Sequence, residues 1–327
     1  MNVLISIQQP VRAWQIPPDA VETLRRRFPH VRFVHATDDD SRIRGLEEAD
    51  IAFTWILNAA EFARARKLRW VHSSAVAVET FCLPEMFARG VIVSNSRGIQ
   101  AVAIAEHVMA VLLALAKQLP YVIDTQRQAR WSQNDFVGDR LPWLLKGKTL
   151  GLIGVGTIGS EIAERAGAFG TKVIAVRRRA DRGSVVGVEQ ILPAAELPTL
   201  LEQSDVVVIA APLTMETEKL IGAPELARMK KGAVLINVGR ARIIDHVALV
   251  DALRSGHLGG ASLDVFHKEP LPSDDPLWTF PNVILTPHTS GFRQGHWNDV
   301  IDLFSENLTR FEGGEPVKFR VLPELGY

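Results

Sequence analysis

The sequence is poor in cysteine and has no excess of charge of either sign. Among 327 residues only Cys82 is a cysteine, so an intrachain disulfide is impossible and a reducing, cytoplasmic location is expected. We interpret Cys82 as a small apolar filler, because no metal-binding or thiolate motif surrounds it. Lys and Arg together number 37, as do Asp and Glu. This balance argues against a generally basic nucleic-acid-binding protein and against a protein held to membranes by charge.

Long apolar runs and metal-ligand clusters are also missing. The most apolar stretch, residues 101–116, is shorter than the roughly 20 residues that cross a bilayer, and it contains Glu106 and His107. We expect it to be a helix buried between domains or subunits. The stretch MNVLISIQQP lacks the charged start of a signal peptide and predicts a first strand instead. No His and Cys residues have metal-ligand spacing, so no metal site is expected.

Short apolar runs alternate with helical stretches through most of the chain. A first set of predicted strands comprises VLISI, VRFVHA, IAFTW, LRWVHS and VIVSNS, with helices near residues 18–28, 58–67 and 79–89. A second set comprises LGLIGVG, KVIAVR, DVVVIAAP, AVLINVG, GASLDVF and NVILTPH. This alternation predicts an α/β protein with two doubly wound parallel sheets, in which most strands are covered on both faces.

The position of a glycine-rich loop in the middle of the chain predicts how the domains are arranged. No such loop follows the first strand, so the first unit is not expected to hold a dinucleotide. We predict a substrate-binding domain made of residues 1–97 and 291–327, with a dinucleotide-binding domain of residues 98–290 inserted into it.

The glycine-rich loop, GLIGVGTIGSEIAERAGAFG, contains Gly154, Gly156 and Gly159 between a predicted strand and a predicted helix. In a dinucleotide-binding fold the first glycine permits the tight turn, the second lets the backbone approach a pyrophosphate, and the third lets the helix pack close to the strand. The helix N-terminus then offers free N–H groups to the phosphates. The alternative is an ordinary glycine-rich turn between strand and helix.

Three arginines stand where this fingerprint expects an acid. The strand KVIAV is followed by Arg177, Arg178 and Arg179, and no acid occurs before Asp181. A carboxylate would repel the 2′-phosphate of NADP, whereas guanidinium groups bind phosphate through paired, charge-assisted hydrogen bonds. We therefore predict NADP(H) preference carried by Arg177 and Arg178, with NAD(H) possible. A solvated turn is the alternative.

Charged side chains and a histidine follow three later strands of the same set. They are Arg240 in LINVGRARIID, Asp264 and Glu269 in LDVFHKEPLP, and His288 in VILTPHTSG. The carboxyl ends of parallel strands meet at one edge of a sheet. There an arginine can bind a carboxylate and polarise a neighbouring carbonyl. A histidine kept protonated by a carboxylate can donate a proton, and a nicotinamide cofactor can donate a hydride.

With these motifs, nearly the whole chain resembles the D-isomer-specific 2-hydroxyacid dehydrogenase family, which includes glyoxylate/hydroxypyruvate reductases. The stretch DVFHKEPLPSDDPLWTFPNVILTPHTSG carries the resemblance most specifically. The family implies a Rossmann NAD(P)-binding domain inserted into a flavodoxin-like substrate domain. It also implies that Arg240 binds the substrate, that Glu269 is the partner of the histidine, and that His288 is the acid/base.

The resemblance implies further binding residues. Asp264 would contact the nicotinamide end of the cofactor, and the N–H groups of Val76 and Ala77 would hold the substrate carboxylate. Two positions where the family usually has glycine are alanine here, Ala77 and Ala241, and Ala77 narrows the backbone freedom of its loop. The complete predicted cofactor set is Gly154, Gly156, Thr157, Ile158, Gly159, Arg177, Arg178, Pro212, Thr217, Val238, Asp264 and His288.

Residues 100–145 resemble the family's dimerisation segment, so a homodimer is expected. We interpret His107 and Trp131 within it as packing residues. His267 lies near Glu269 in sequence, but the order of the family motifs favours His288 as the acid/base. His296 and Trp297 could reach the active site, although core or interface packing is the simpler interpretation.

Together these features predict an NADPH-dependent reductase that converts a small 2-ketoacid, of the glyoxylate or hydroxypyruvate type, to the D-2-hydroxyacid. No nucleic acid or membrane partner is expected. A competing hypothesis is an NAD(P)-binding regulator or sensor on the same fold without significant turnover, since a fold alone does not fix function.

Overall fold

The chain folds into two compact α/β units in a computed structural model that describes residues 1–181 and 183–323. One unit comprises Met1–Ile99 together with the chain from Phe292 onward, and the other comprises Gln100–Gly291. The chain thus divides after Ile99 and after Gly291, and the assignment of substrate-binding and dinucleotide-binding roles to the two units stays a prediction. Each unit contains one parallel sheet.

The first unit begins with five strands that alternate with helices. In chain order its elements are β1 (Asn2–Ser6), α1 (Pro18–Arg27), β2 (Arg32–His35), α2 (Asp39–Glu48), β3 (Ile51–Thr54), α3 (Ala59–Arg64), β4 (Trp70–Ser73), α4 (Leu83–Ala88) and β5 (Ile92–Ser94). The strands pair in the order β2-β1-β3-β4-β5, which is the flavodoxin-like order. Every residue of β3 and β4 is buried, as expected for strands covered on both faces.

The second unit starts with two helices and continues with seven strands. Its elements are α5 (Ala101–Ala116), α6 (Leu119–Arg127), β6 (Thr149–Ile153), α7 (Thr157–Ala168), β7 (Lys172–Arg177), β8 (Gln190–Pro193), α8 (Leu197–Gln203), β9 (Val206–Ile209), α9 (Ala223–Arg228), β10 (Ala233–Asn237), α10 (His246–Arg254), β11 (Leu258–Leu263) and β12 (Val283–Leu285). The chain then returns to the first unit and forms α11 (His296–Glu312).

The strand order of the second sheet is β8-β7-β6-β9-β10-β11-β12. Its first six strands follow the order of a Rossmann dinucleotide-binding fold, and β12 extends the sheet at one edge. The predicted architecture of two parallel sheets, one flavodoxin-like and one of the Rossmann type, is confirmed.

Helix α2 and strand β8 are absent from the predicted elements, and both bury little apolar surface. Helix α2 buries only Leu46, so its sequence lacks a clear apolar stripe. Its start is nevertheless encoded, since the Asp38 side chain accepts a hydrogen bond from the Ser41 N–H in a capping box. Strand β8 has four residues, of which one is buried, and lies at the sheet edge beside β7.

The described part of the chain has no single helix that is long and apolar enough to cross a membrane. Helices α5 and α6 reach the required length and composition only as a pair bent by 69°. Nine of the 16 residues of α5 are buried in the protein, which accounts for the apolar character of this stretch.

Candidate active site

The glycine-rich loop lies between β6 and α7 and has the geometry expected of a phosphate-binding turn. Gly154 adopts φ +93°, and a Cβ there would lie 2.8 Å from the Ala211 backbone. A Cβ on Gly159 would lie 2.5 Å from the Gly154 carbonyl oxygen, so only glycine allows this close approach of helix and turn. By contrast, a Cβ on Gly156 would meet nothing within 4 Å. Gly154 and Gly159 therefore pack closely against neighbouring backbone, whereas Gly156 borders open space.

Helix α7 begins at Thr157, directly after Gly156 as its N-cap. Its first N–H groups, including those of Thr157 and Ile158, have no acceptor within the helix. No acidic residue lies in the first turn, so the positive end of the helix dipole is not offset locally. Open space and free donors at one helix N-terminus fit the pyrophosphate of a dinucleotide.

The arginines after β7 have different surroundings. The Arg177 Nη2 donates to the carbonyl oxygens of Ala180 at 3.2 Å and Gly183 at 2.5 Å. Its Nε is buried and has no hydrogen-bond partner among the described residues. Arg178 and Arg179 are exposed. Arg177 thus shapes the turn, and the two arginines after it extend from that turn.

The loop after β9 contains the predicted cofactor residues Pro212 and Thr217 and also approaches the arginine turn. The Thr217 hydroxyl donates to the Pro212 carbonyl at 2.8 Å, which fixes the loop internally. Glu216 of this loop lies 3.4 Å from the Arg178 Nη1. One carboxylate therefore faces the arginine that was expected to bind phosphate.

Arg240 follows β10 in a turn held by a buried asparagine. Asn237 is 1% exposed; its side-chain oxygen accepts from the Gly239 N–H at 3.0 Å, and its amide group donates to the Arg240 carbonyl at 3.1 Å. The Arg240 Nη1 donates to the Gly239 carbonyl at 2.9 Å. Val238, another predicted cofactor residue, is buried between Asn237 and Gly239. The hydrogen bonds of Asn237 therefore fix the backbone at the point where Arg240 leaves the sheet.

Glu269 and His288 form a hydrogen-bonded pair. The His288 Nδ1 lies 2.9 Å from the Glu269 Oε2. The other carboxylate oxygen, Oε1, accepts from the Phe266 N–H at 2.9 Å, which fixes the carboxylate. The side chains of His288 and Glu269 are 51% and 39% exposed. The structure thus brings together the predicted acid/base and its predicted partner, with the histidine accessible.

Asp264, the remaining predicted acid, is buried, and its side chain contacts the loop that carries His288. It is 1% exposed. Its Oδ1 accepts from the Thr286 hydroxyl at 2.6 Å and from the Thr289 N–H at 2.9 Å. Both oxygens accept from the Ser290 N–H. Its expected contact with the nicotinamide end of a cofactor stays a prediction, whereas its role as an anchor of the loop is evident.

Val76 and Ala77 lie in the first unit, in the loop after β4. The carbonyls of this loop are bound from behind: Asn95 donates to the Val76 oxygen at 2.8 Å, Ser73 to the Ala77 oxygen at 3.2 Å, and the Ser96 N–H to the Ala75 oxygen at 3.1 Å. Within residues 1–181 and 183–323, neither the Val76 nor the Ala77 N–H donates to a protein acceptor. Such paired amides are suited to an anion.

Other sequence candidates lie in different surroundings. The His267 Nε2 is bound to the Ile244 carbonyl at 3.1 Å, so Glu269 has His288 and not His267 as its partner. His296 is buried against Trp14, and burial lowers its pKa to about 4. Trp297 donates to the Ala13 carbonyl. His296 and Trp297 therefore pack within the first unit.

Asn237, Thr286 and Asn95 were missed by the sequence analysis. The Asn237 and Asn95 side chains bond to backbone carbonyls, and the Thr286 hydroxyl bonds to the Asp264 carboxylate; none of the three resembles a catalytic group. The only sequence signal was a polar residue at the end of, or just after, an apolar strand. In the part of the chain that the structure describes, no group of three or more His, Cys, Asp or Glu residues could hold a metal ion.

The family model for the D-isomer specific 2-hydroxyacid dehydrogenase NAD binding domain matches residues 109–290. The chain belongs to this family. The matched residues lie within the second unit and include the glycine-rich loop, Arg240, Glu269 and His288. As a member of the family the protein is a dehydrogenase that uses a nicotinamide cofactor, and the glycine-rich loop described above fits that cofactor.

Known proteins are similar over most of the chain. A glyoxylate reductase from Korarchaeum cryptofilum is 36% identical over 261 residues, which cover 79% of this chain and 77% of the relative. The crystal structure of a family protein from Aeromonas salmonicida is 34% identical, with a TM-score of 0.82 and 98% of each chain covered. A family member from Xanthobacter autotrophicus, solved with NADPH and MES, is 30% identical, with a TM-score of 0.82 and 99% of each chain covered.

Proposed function

We propose that this dehydrogenase reduces a small 2-ketoacid, of the glyoxylate or hydroxypyruvate type, to the D-2-hydroxyacid with NADPH. The observation that carries the proposal is the 2.9 Å contact between His288 and Glu269, at the sheet edge that also carries Arg240. The name of the Korarchaeum relative, a glyoxylate reductase, supports the substrate class.

His288 serves as the proton donor in this proposal. Its Nδ1 is bound to Glu269, so Nε2 is the ring nitrogen that can give a proton to the carbonyl oxygen of the substrate. Glu269 holds the ring in one orientation through this hydrogen bond. A bound nicotinamide cofactor supplies the hydride, and the protein's contribution is to orient and protonate the acceptor.

Arg240 binds the substrate carboxylate and polarises the adjacent carbonyl. It follows β10 and His288 follows β12, and these strands are separated by β11. Since neighbouring strands lie about 4.8 Å apart, the carboxyl ends of β10 and β12 are about 10 Å apart. Long side chains that follow these two strand ends can contact the same small molecule. The N–H groups of Val76 and Ala77 remain the proposed additional donors to the substrate carboxylate.

NADPH preference rests on the turn after β7. We assign Arg178 as the principal ligand of the 2′-phosphate and Arg177 as the residue that shapes the turn, because the Arg177 Nη2 is bonded to the Ala180 and Gly183 carbonyls. The presence of NADPH in the Xanthobacter structure supports NADPH as the cofactor. Glu216 opposes NADPH preference, because its carboxylate faces Arg178 and would repel a phosphate there.

The test is a panel of kcat/KM values for glyoxylate, hydroxypyruvate, pyruvate and bulkier ketoacids with NADPH and with NADH. We expect the highest values for the two small substrates with NADPH. Tight NADPH binding without turnover of any of these ketoacids would overturn the proposed function. Equal or better performance with NADH would overturn the cofactor preference alone.

We also propose a homodimer through residues 100–145. This segment exposes apolar side chains that monomeric surfaces seldom collect in one region: Val102, Leu119, Ile123, Trp131, Val137, Leu141 and Leu144. Trp131 is 88% exposed, more than a large apolar ring usually is on the surface of a monomer. A second copy of the chain is the partner expected for such a surface, because most soluble oligomers are symmetric homo-oligomers.

Sedimentation should therefore show a dimer for the wild-type protein and a monomer for Trp131→Asp. Val247→Asp is the matched control, because Val247 is 68% exposed but lies outside the segment on α10. A monomeric wild type, or dissociation by the control variant alone, would contradict the assignment.

A further inference from the structure

A chain of hydrogen bonds runs from helix α5 to the loop that carries His288. Asp264 lies at its centre, 1% exposed, and accepts from Thr286, Thr289 and Ser290. A buried carboxylate is stable only when its oxygens are satisfied. Among the described residues every donor to Asp264 comes from residues 286–290, so the charge of Asp264 holds this loop against the end of β11.

Thr286 extends the chain to His107 on α5. The Thr286 hydroxyl donates its proton to Asp264 at 2.6 Å. It can therefore only accept from the His107 Nε2, which lies 3.4 Å away. This assigns the Nε2–H form to a neutral His107. Burial lowers the pKa of His107, while the charge of Asp264 acts in the opposite direction.

Thr286 also binds the backbone of His288. The His288 N–H donates to the Thr286 carbonyl at 2.9 Å, and His288 has φ +54°. An L-residue in this left-handed region is strained, and it persists only where the surroundings fix it. The bonds of Thr286, Thr289 and Ser290 on either side of His288 supply that constraint.

We infer that His107 and Thr286 are positioning residues for the proton donor. They hold Asp264 and the 286–290 loop in place, so that the His288 ring stays hydrogen-bonded to Glu269. Neither is assigned contact with substrate. This inference rests on the proposed function, because it concerns the step in which His288 gives its proton. It also changes the interpretation of His107 from a packing residue to the first member of a hydrogen-bond chain.

Thr286→Val keeps the shape of the side chain but removes both hydrogen bonds of the hydroxyl. We expect kcat to fall about 10- to 100-fold, the range found when a supporting hydrogen bond of an active-site group is lost. The KM for the ketoacid and the Kd for NADPH should change less than about threefold, since the variant leaves the binding groups in place. Thr286→Ser is the matched control and should restore kcat to within about threefold of wild type, because it keeps the hydroxyl.

His107→Leu gives a second test that is independent of the folding of the Thr286 variant. It should lower kcat by about fivefold to tenfold, and His107→Gln, which keeps an N–H donor, should restore most of the loss. Amide hydrogen exchange without cofactor supplies a readout besides activity. The Thr289 and Ser290 amides should exchange faster in Thr286→Val than in wild type, while amides of β6 should not change.

The outcomes separate this inference from the proposed function. If the wild-type protein reduces no ketoacid in the panel, the proposed function fails, and the amide exchange alone decides whether the loop is held as described. If the wild type is active and both Thr286→Val and His107→Leu retain wild-type kcat, the positioning role is overturned. A rise in KM with unchanged kcat would also overturn it.

Discussion

The two units have similar sheets but use their histidines in opposite ways. In the first unit, His72 lies within β4, is fully buried, and has a pKa lowered to about 3 by burial. In the second, His288 lies beyond the end of β12 with half of its side chain exposed and a carboxylate bound to Nδ1. The same side chain is thus kept neutral in a core and is available for proton transfer at a sheet edge.

The hydrogen bonds of His72 fit the neutral ring that burial favours. The Ser94 hydroxyl accepts from Trp70 and lies 2.7 Å from the His72 Nδ1, to which it can donate. The His72 Nε2–H then faces the Ser96 hydroxyl at 3.4 Å, and Ser96 donates to the Ser73 carbonyl. The neutral ring is therefore a structural part of the sheet beneath the loop of Val76 and Ala77.

The contrast also extends to the loops at the ends of the strands. The first unit has no glycine-rich turn after β1, whereas the second unit has one after β6, with Gly154 in a conformation that favours glycine. The proposed catalytic side chains Arg240, Glu269 and His288 also belong to the second unit. The first unit offers the backbone amides of its β4 loop instead. Similar sheets therefore carry different chemistry, because the residues immediately after each strand determine the chemistry.

Removal of the His288 imidazole should have the largest effect. His288→Ala should lower kcat by about 100- to 10,000-fold, the usual contribution of a positioned acid, while the Kd for NADPH stays within a few-fold of wild type. Steady-state reduction and fluorescence titration measure the two quantities. His267→Ala is the matched control from the neighbouring loop and should remain active. A parallel loss of NADPH binding in His288→Ala would show that its role is misassigned.

Arg240→Lys should have the next largest effect, about 100-fold or more in kcat/KM, because an ammonium group cannot reproduce the planar, paired donors of a guanidinium. Arg242→Lys provides a control only two residues away, since Arg242 is exposed and pairs with Glu218. It should stay close to wild type. Near-normal activity of Arg240→Lys would remove Arg240 from the mechanism.

Arg178→Ala should weaken NADPH binding about 10- to 100-fold, as expected for the loss of hydrogen bonds between charged groups, and NADH binding much less. Glu216→Gln should strengthen NADPH binding, because it removes the carboxylate that faces Arg178. Arg179→Ala serves as the control from the same turn. Equal effects of Arg178→Ala on both cofactors would mean that the arginines only form a solvated turn.

The smallest effect concerns stability. The folded pKa of His72 lies below its ordinary value of 6.5, so between pH 6.5 and about 3 the unfolded chain binds a proton that the folded chain does not. The free energy of unfolding should therefore fall as the pH is lowered through this window, by at most about 1.4 kcal/mol per pH unit from this group. The free energy of unfolding, measured with urea at pH 7 and pH 5, should decrease less between these two pH values for His72→Asn than for the wild type. Identical decreases in both proteins would contradict this account.

Much of this arrangement could be predicted from the sequence, because the signals are local. Apolar runs of four to six residues predicted eleven of the twelve strands that the structure describes. The glycine spacing predicted the turn before α7, and the family resemblance implied the pairing of Glu269 with His288, whose side chains lie 2.9 Å apart. Helix α2 and strand β8 were missed because they bury too little apolar surface to leave a pattern.

The sequence by itself determined the residue types, the strands and the order in which reactive groups follow those strands, since each depends on neighbours a few positions away. Only the tertiary structure decided that His72 is buried and that His107 joins Thr286 and Asp264 behind His288. The last contact spans 179 positions from His107 to Thr286. Burial and hydrogen-bond partners of this kind arise only when distant segments pack together, so no local pattern records them.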